Sequence, residues 1–168
     1  MAPNLMTQRN ATPGDKQFLG RLYRDTRRRE VESWGWPQQQ RDFFLNMQFE
    51  AQYRSYSSAY PDANDQIICV DEAPVGRMMV ARDQASSPPG MHLIDIALLE
   101  NFRNRGIGGQ LIRELLEQCQ REGLVLRLQV LRVNPAIRLY ERLGFVQTTA
   151  DAVYMQMECN PPPITEKT

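Results

Sequence analysis

The residues best equipped for chemistry lie together in one stretch. Arg103-Asn104-Arg105-Gly106-Ile107-Gly108-Gly109 sets two guanidinium groups and three glycines between an apolar run and an amphipathic one. Glycines let a backbone approach a ligand closely, and free N–H groups at a helix start favour an anion. Arginines add charge-assisted donors suited to phosphate oxygens. The chemistry implied is the holding of a diphosphate. Reactive side chains elsewhere are sparse. His92 is the single histidine, which excludes sites built from several imidazoles. Cys69, Cys119 and Cys159 are scattered without metal-ligand spacing, the first two as buried thiols in apolar patterns, and no metal site is expected.

For such a turn to work, a strand must deliver it and a helix must follow. Residues 91–99 read as a largely buried strand, and Ile107, Leu111, Ile112, Leu115, Leu116 and Cys119 recur at helical spacing until Gly123 stops the helix. Two common phosphate motifs fail on spacing. A P-loop needs Lys-Ser or Lys-Thr where Gly109 is followed by Gln110-Leu111, and a dinucleotide fingerprint lacks its third glycine.

The remaining elements follow from local signals. Residues 4–9 suit a short edge strand. Thr12-Pro13-Gly14-Asp15 starts a helix with Thr12 as cap, and Pro37 starts a second one that ends before Tyr60. The run Arg27-Arg28-Arg29 is read as a solvated helix end. Both tryptophans, three of six phenylalanines and three of six tyrosines fall between Trp34 and Tyr60, most of them expected in the core and the rest lining an acceptor pocket. Residues 66–70 and 75–81 form a hairpin about Asp71-Glu72-Ala73, and residues 83–90 a loop. Residues 124–131 make a strand with Leu124, Leu126, Leu128 and Val130 on one face. Asn134-Pro135 caps a short helix ended by Gly144, and residues 145–149 and 153–157 close as an antiparallel pair.

The whole is an α/β (α+β) layer structure, with one domain over residues 1–158 and a disordered tail over 159–168. At 168 residues the chain is long enough for a real core. Twenty basic and twenty acidic residues cancel, so no global field favours nucleic acid or a membrane surface. No apolar run approaches the roughly 20 residues a membrane helix needs, and the N-terminus lacks the apolar core of a secretory signal. A reducing cytoplasm suits the cysteine usage.

The turn matches Arg/Gln-x-x-Gly-x-Gly/Ala, with Arg103, Gly106 and Gly108 in the defining positions. In this form it resembles the acyl-CoA-binding motif of the GCN5-related N-acetyltransferase (GNAT) superfamily. Asn134-Pro135-Ala136, Leu139-Tyr140-Glu141 and Gly144-Phe145 resemble the family's second signature, Asn-x-x-Ala-x-x-Leu-Tyr-x-x-x-Gly-Phe, in the right order, with Asn134 one residue closer to the alanine than that spacing. The resemblance covers residues 75–157 well. It implies the GNAT acyl-CoA N-acyltransferase fold, a mixed central sheet of about six to seven strands flanked by about four helices. One departure stands out: where the family often has proline, two residues after Leu98, this chain has Glu100.

The resemblance also implies roles. Backbone N–H groups of Arg103, Asn104, Arg105, Gly106, Ile107, Gly108 and Gly109 would cradle the pyrophosphate of acetyl-CoA. Main-chain groups of Ile96, Ala97 and Leu98 would pair with the pantetheine arm like an added strand, with one N–H near Leu98 facing the thioester oxygen. Asn134 would contact the pantetheine, although capping a helix is reason enough for it. Tyr140 would protonate the departing thiolate, against the plainer reading of a packing tyrosine. His92, on the parity of Ile94, Ile96 and Leu98, would take the amine proton, with Asp95 ranked second. The expected activity is N-acetyl transfer from acetyl-CoA to a primary amine by direct attack. Transfer of another acyl group, transfer to a protein amine, and a non-catalytic acyl-CoA-binding domain are the alternatives. A homodimer is compatible with the family. The acceptor determinants are expected in residues 34–60 and 83–90, with Glu32, Asp42 and Glu50 available to a cation.

Overall fold

The computed structural model describes residues 5–162. Its elements are β1 (Met6–Asn10), α1 (Lys16–Glu32), α2 (Gln38–Ala59), β2 (Asn64–Val70), β3 (Ala73–Asp83), β4 (Gly90–Leu98), α3 (Ile107–Glu122), β5 (Val125–Leu131), α4 (Ile137–Arg142), β6 (Val146–Ala150) and β7 (Tyr154–Cys159). The seven strands form one mixed sheet in the order β1-β2-β3-β4-β5-β7-β6. The β4–β5 pair is parallel, with a helix in its crossover, while β1–β2, β5–β7 and β6–β7 are antiparallel. This is the expected fold, with seven strands and four α-helices among the described residues.

The chain divides into two compact units, one made of the residues up to Met79 with Asp95–Arg103, the other of Val80–Ile94 with the residues from Asn104 on. In the first, α1 and α2 lie together, and Leu19, Leu22, Phe49, Ile67 and Cys69 form the buried core, with Phe18, Tyr23, Tyr53, Ala97 and Leu99 packed on it. Asp15 closes the entry to α1: its carboxylate accepts the Thr12 N–H at 2.8 Å and both Nη atoms of Arg9 at 2.7 and 2.8 Å. The β2–β3 hairpin turns on Asp71 and Glu72, both at positive φ, the conformation a two-residue turn demands. In the second unit, α3 buries Leu111, Ile112, Leu115 and Cys119 and lies along β5, whose Leu126, Leu128 and Val130 are buried as the alternation predicts.

Two expectations need correcting. Of the rings between Trp34 and Tyr60, only Phe49 is fully buried; Phe43 is 70% exposed, and Trp34, Trp36 and Phe44 pack edge-on into a half-exposed trio with centroids 5.1–5.6 Å apart. The cause is that α2 spreads its apolar residues around its circumference, so one face cannot bury them all. The strand at the C-terminal end also runs past the expected boundary at 158, because Cys159 pairs with Leu126 and is buried. The Gln120 side chain donates to the carbonyl of Pro162. The rest of the expected tail, from residue 163, and Asn4 of the expected edge strand lie outside the described residues.

Candidate active site

The glycine turn begins where β4 ends. After a short 3-10 turn at Glu100–Phe102, Arg103 is extended, Asn104 has φ 58°, and Gly106 caps α3 with φ 80°. The first bond of α3 runs from Gln110 N–H to the Gly106 carbonyl at 3.0 Å, so the N–H groups of Ile107, Gly108 and Gly109 precede the helix's own ladder. A Cβ built on Gly106 or Gly108 would meet nothing within 4 Å, whereas one on buried Gly109 would touch Arg113 and Leu139. The side of the turn occupied by Gly106 and Gly108 is open, and the helix dipole favours an anion there.

Arg103 does not extend that cradle with its side chain. Its Nε donates to the Leu98 carbonyl at 2.8 Å and its Nη2 to Asp25 Oδ2 at 3.1 Å. The expectation of a charge-assisted phosphate donor at Arg103 is corrected: the guanidinium folds back to brace the strand that leads into the turn. Asp25, on α1 and nearly buried, also accepts the Glu100 N–H at 2.8 Å and Arg28 at 2.7 Å. Arg29 pairs with Glu100, so the basic run is exposed but paired rather than merely solvated. Sequence reasoning missed Asp25, an ordinary acid beside three arginines whose partners lie about 75 positions away.

The end of β4 carries a second set of backbone groups. The β4–β5 ladder runs only from Gly90↔Val125 to Leu93↔Leu128, while β4 continues to Leu98. Leu99 N–H donates to the Val75 carbonyl at 2.8 Å, and the Ala97 carbonyl lies 2.5 Å from where a Gly76 Cβ would stand. Odd positions therefore turn their backbone groups toward β3, and alternation turns those of Ile96 and Leu98 the other way. Ala97 is thus not part of the edge expected for the pantetheine, and the Leu98 carbonyl is already held by Arg103.

The two candidate bases differ sharply. His92 lies inside the β4–β5 ladder opposite Arg127, six residues or about 20 Å of strand from Leu98. Burial lowers its pKa, with Asp83 opposing and Arg127 adding to that shift. The imidazole belongs to the paired start of the strand rather than to its unpaired end. Asp95 has different surroundings. Burial pushes its carboxyl up to about 6, against the pull of Arg77 and with the help of Asp65. Arg77 is buried and bidentate to Asp65, with Nε and Nη2 both at 2.8 Å, while its Nη1 is 3.9 Å from Asp95. The Tyr56 ring stacks on the same guanidinium at 5.5 Å.

Asn134 accepts the Ala136 N–H at 2.9 Å, and its carbonyl receives Ile137 N–H, so it builds the turn that leads into α4, whose cap is Ala136 rather than the expected Asn134. Tyr140 is buried on α4, its ring 5.7 Å from Phe145. Glu50, expected to be available to a cation, is paired with Lys16 at 3.0 Å. Among the described residues no three His, Cys, Asp or Glu side chains are grouped to hold a metal ion, and no helix is long and apolar enough to cross a membrane.

Comparison with known proteins gives this geometry a context. The chain is 28% identical over 90 residues to the L-amino acid N-acetyltransferase AaaT of Escherichia coli, a match spanning 51% of this chain and 54% of that protein, so just over half of the curated relative is covered. The fold is similar to that of the PaiA N-acetyltransferase of Thermoplasma acidophilum, solved with coenzyme A (TM-score 0.69, 16% identity, 93% of this chain and 99% of that one). It is also similar to the histone acetyltransferase HPA2 and related acetyltransferase of Corynebacterium glutamicum (TM-score 0.65, 20% identity, 97% and 99%). Residues 21–145 match the family model described as acetyltransferase (GNAT) family, and the chain belongs to that family.

Proposed function

We propose that this protein is an N-acetyltransferase that moves the acetyl group of acetyl-CoA to a primary amine. The observation that carries the reading is the turn: the N–H groups of Ile107, Gly108 and Gly109 precede the helix's own ladder, and Gly106 and Gly108 have open space beside them, which fits a diphosphate. The early end of the β4–β5 ladder supports a role for Ile96 and Leu98 in holding the pantetheine amides by strand addition, with Asn134 as a further contact. Bound acetyl-CoA would supply the acetyl group as a thioester. Tyr140 is assigned as the acid that gives its hydroxyl proton to the leaving sulfur, and a group on β4 as the proton acceptor for the amine, Asp95 being favoured over His92 by its surroundings. Two relatives named for N-acetyl transfer agree with the reaction class.

The reading is tested by measuring acetyl-CoA binding and CoA release with a panel of primary amines, alongside Gly108→Val. Tight acetyl-CoA binding that Gly108→Val weakens at least tenfold, with amine-dependent CoA release, is the expected result. Binding without release for any amine would leave an acyl-CoA-binding domain instead.

A further inference from the structure

The corner between β4 and α3 has little to hold it from within. Leu99 N–H reaches the Val75 carbonyl on β3 at 2.8 Å, Phe102 N–H the Leu99 carbonyl at 2.9 Å and Arg103 N–H the Glu100 carbonyl at 3.2 Å. Asn104 then sits at φ 58°, a costly conformation for a residue with a side chain. An outside partner is supplied by α1. A single oxygen, Oδ2 of Asp25, accepts the Glu100 N–H at 2.8 Å and Arg103 Nη2 at 3.1 Å, so it ties the first residue of the 3-10 turn to the residue that follows it. Arg28, one helical turn on, donates to Oδ1 at 2.7 Å and fixes the plane of the carboxylate. The Asp25 side chain is only 9% exposed, against 55% for Arg28, so water is poorly placed to take its part. Arg103 Nε holds the Leu98 carbonyl at 2.8 Å, which carries the hold back to the end of β4. All of these residues lie within the first unit, which ends at Arg103, and the chain runs from there straight into Asn104 and the glycines.

We propose that Asp25 is a positioning residue for acetyl-CoA: a side chain of α1, outside the glycine turn and the second signature, that fixes the corner through which the chain passes from Leu98 to the glycines. This rests on the acetyl-CoA reading and deepens it. Asp25 takes no part in the transfer, because its carboxylate is engaged by three donors of the protein itself. What it supplies is pre-organisation. A turn already held in its binding conformation loses less freedom when the diphosphate arrives, and that difference is read in affinity rather than in the rate of the bound complex. A ring constraint would serve the same end. Leu99 has φ −56° and ψ 146°, the extended range that suits a residue before proline, and Glu100 is the first residue of the 3-10 turn. Proline at position 100 would give no N–H to Asp25, but its ring would hold φ at about −65°. Asp25 and a proline at 100 are therefore alternative ways to stiffen one corner, and the effect of losing the first shrinks when the second is installed.

The test compares wild type with Asp25→Ala, Asp25→Asn, Glu100→Pro and the double variant that joins Asp25→Ala to Glu100→Pro. Acetyl-CoA and 3′-phosphoadenosine 5′-diphosphate, which keeps the diphosphate and lacks the pantetheine, are titrated calorimetrically into each. CoA release is followed at saturating acetyl-CoA with the best amine of the panel. Asp25→Ala is expected to weaken both ligands at least fivefold, Asp25→Asn by a smaller factor because its amide oxygen still accepts, and Glu100→Pro by less than twofold. In the double variant the affinities should return to within twofold of Glu100→Pro, with kcat within threefold of wild type throughout. Should Asp25→Ala not fold, Asp25→Asn with and without Glu100→Pro carries the same comparison. A residue that only supports folding would lower the urea midpoint and leave both affinities unchanged in the folded protein, and that result overturns the proposal. An equal loss of affinity with and without the proline, or a loss confined to kcat, overturns it too. Failure of the acetyl-CoA reading looks different, since the wild-type protein itself then binds no acetyl-CoA.

Discussion

Arg103 Nε donates to the carbonyl oxygen of Leu98 across 2.8 Å, so the residue that opens the glycine turn also closes the end of the strand before it. Its other end is anchored by Asp25, which holds the Glu100 N–H as well. The proline that the family resemblance leads one to expect at position 100 would have no N–H to give, whereas Glu100 donates its N–H to Asp25.

Breaking that brace should loosen the turn without touching the chemistry. Arg103→Ala and Asp25→Ala are each expected to cost about 1–3 kcal/mol in urea unfolding and to raise the acetyl-CoA KM, with kcat little changed. A double-mutant cycle should return a coupling of about 1 kcal/mol or more. Additive effects would mean that the two side chains act separately.

Gly106 and Gly108 should respond differently to a side chain. Gly106 has φ 80°, so Gly106→Ala is expected to lose about 1 kcal/mol of stability from backbone strain alone. Gly108 has open space and no positive φ, so Gly108→Val should stay within about 1 kcal/mol in stability yet lose at least tenfold in acetyl-CoA affinity. Equal affinity in Gly108→Val would remove the cradle from the binding site.

Tyr140→Phe isolates the hydroxyl, since the ring and its packing on Phe145 persist. As a general acid, Tyr140 should account for about 100-fold in kcat, with acetyl-CoA affinity within twofold of wild type. An unchanged kcat would return Tyr140 to a packing role.

Asp95 makes an opposite demand on stability and activity. Its carboxyl is raised to about 6, so the folded state holds the proton more tightly than the unfolded one. That contribution is complete below the ordinary carboxylate value near 4 and is lost as pH rises through 6. Asp95→Asn should therefore match wild type in melting temperature near pH 4 and exceed it above pH 7, by on the order of 2 kcal/mol. A flat difference across this range would show that the charge is not strained.

His92→Gln checks the alternative base. It is expected to retain the rate within about threefold and the same acid limb, which an imidazole general base worth 100-fold or more would not permit.

What the sequence determined alone was local. Apolar periodicity set β4 and α3, Gly106 and Gly123 bounded the helix, and the Arg-x-x-Gly-x-Gly spacing identified the turn and its family, because backbone conformation and helix-start N–H groups depend on near neighbours. Asn134 was legible in part for the same reason, since its side chain accepts an N–H two residues away in the turn that leads into α4. Only the tertiary structure decided where charged side chains point. Asp25 meets Arg103 from 78 positions away, and Arg77 meets Asp65 and Asp95 from neighbouring strands. A guanidinium or carboxylate takes its role from the opposite charges and the burial that folding brings to it, and neither is written in the spacing around the residue itself.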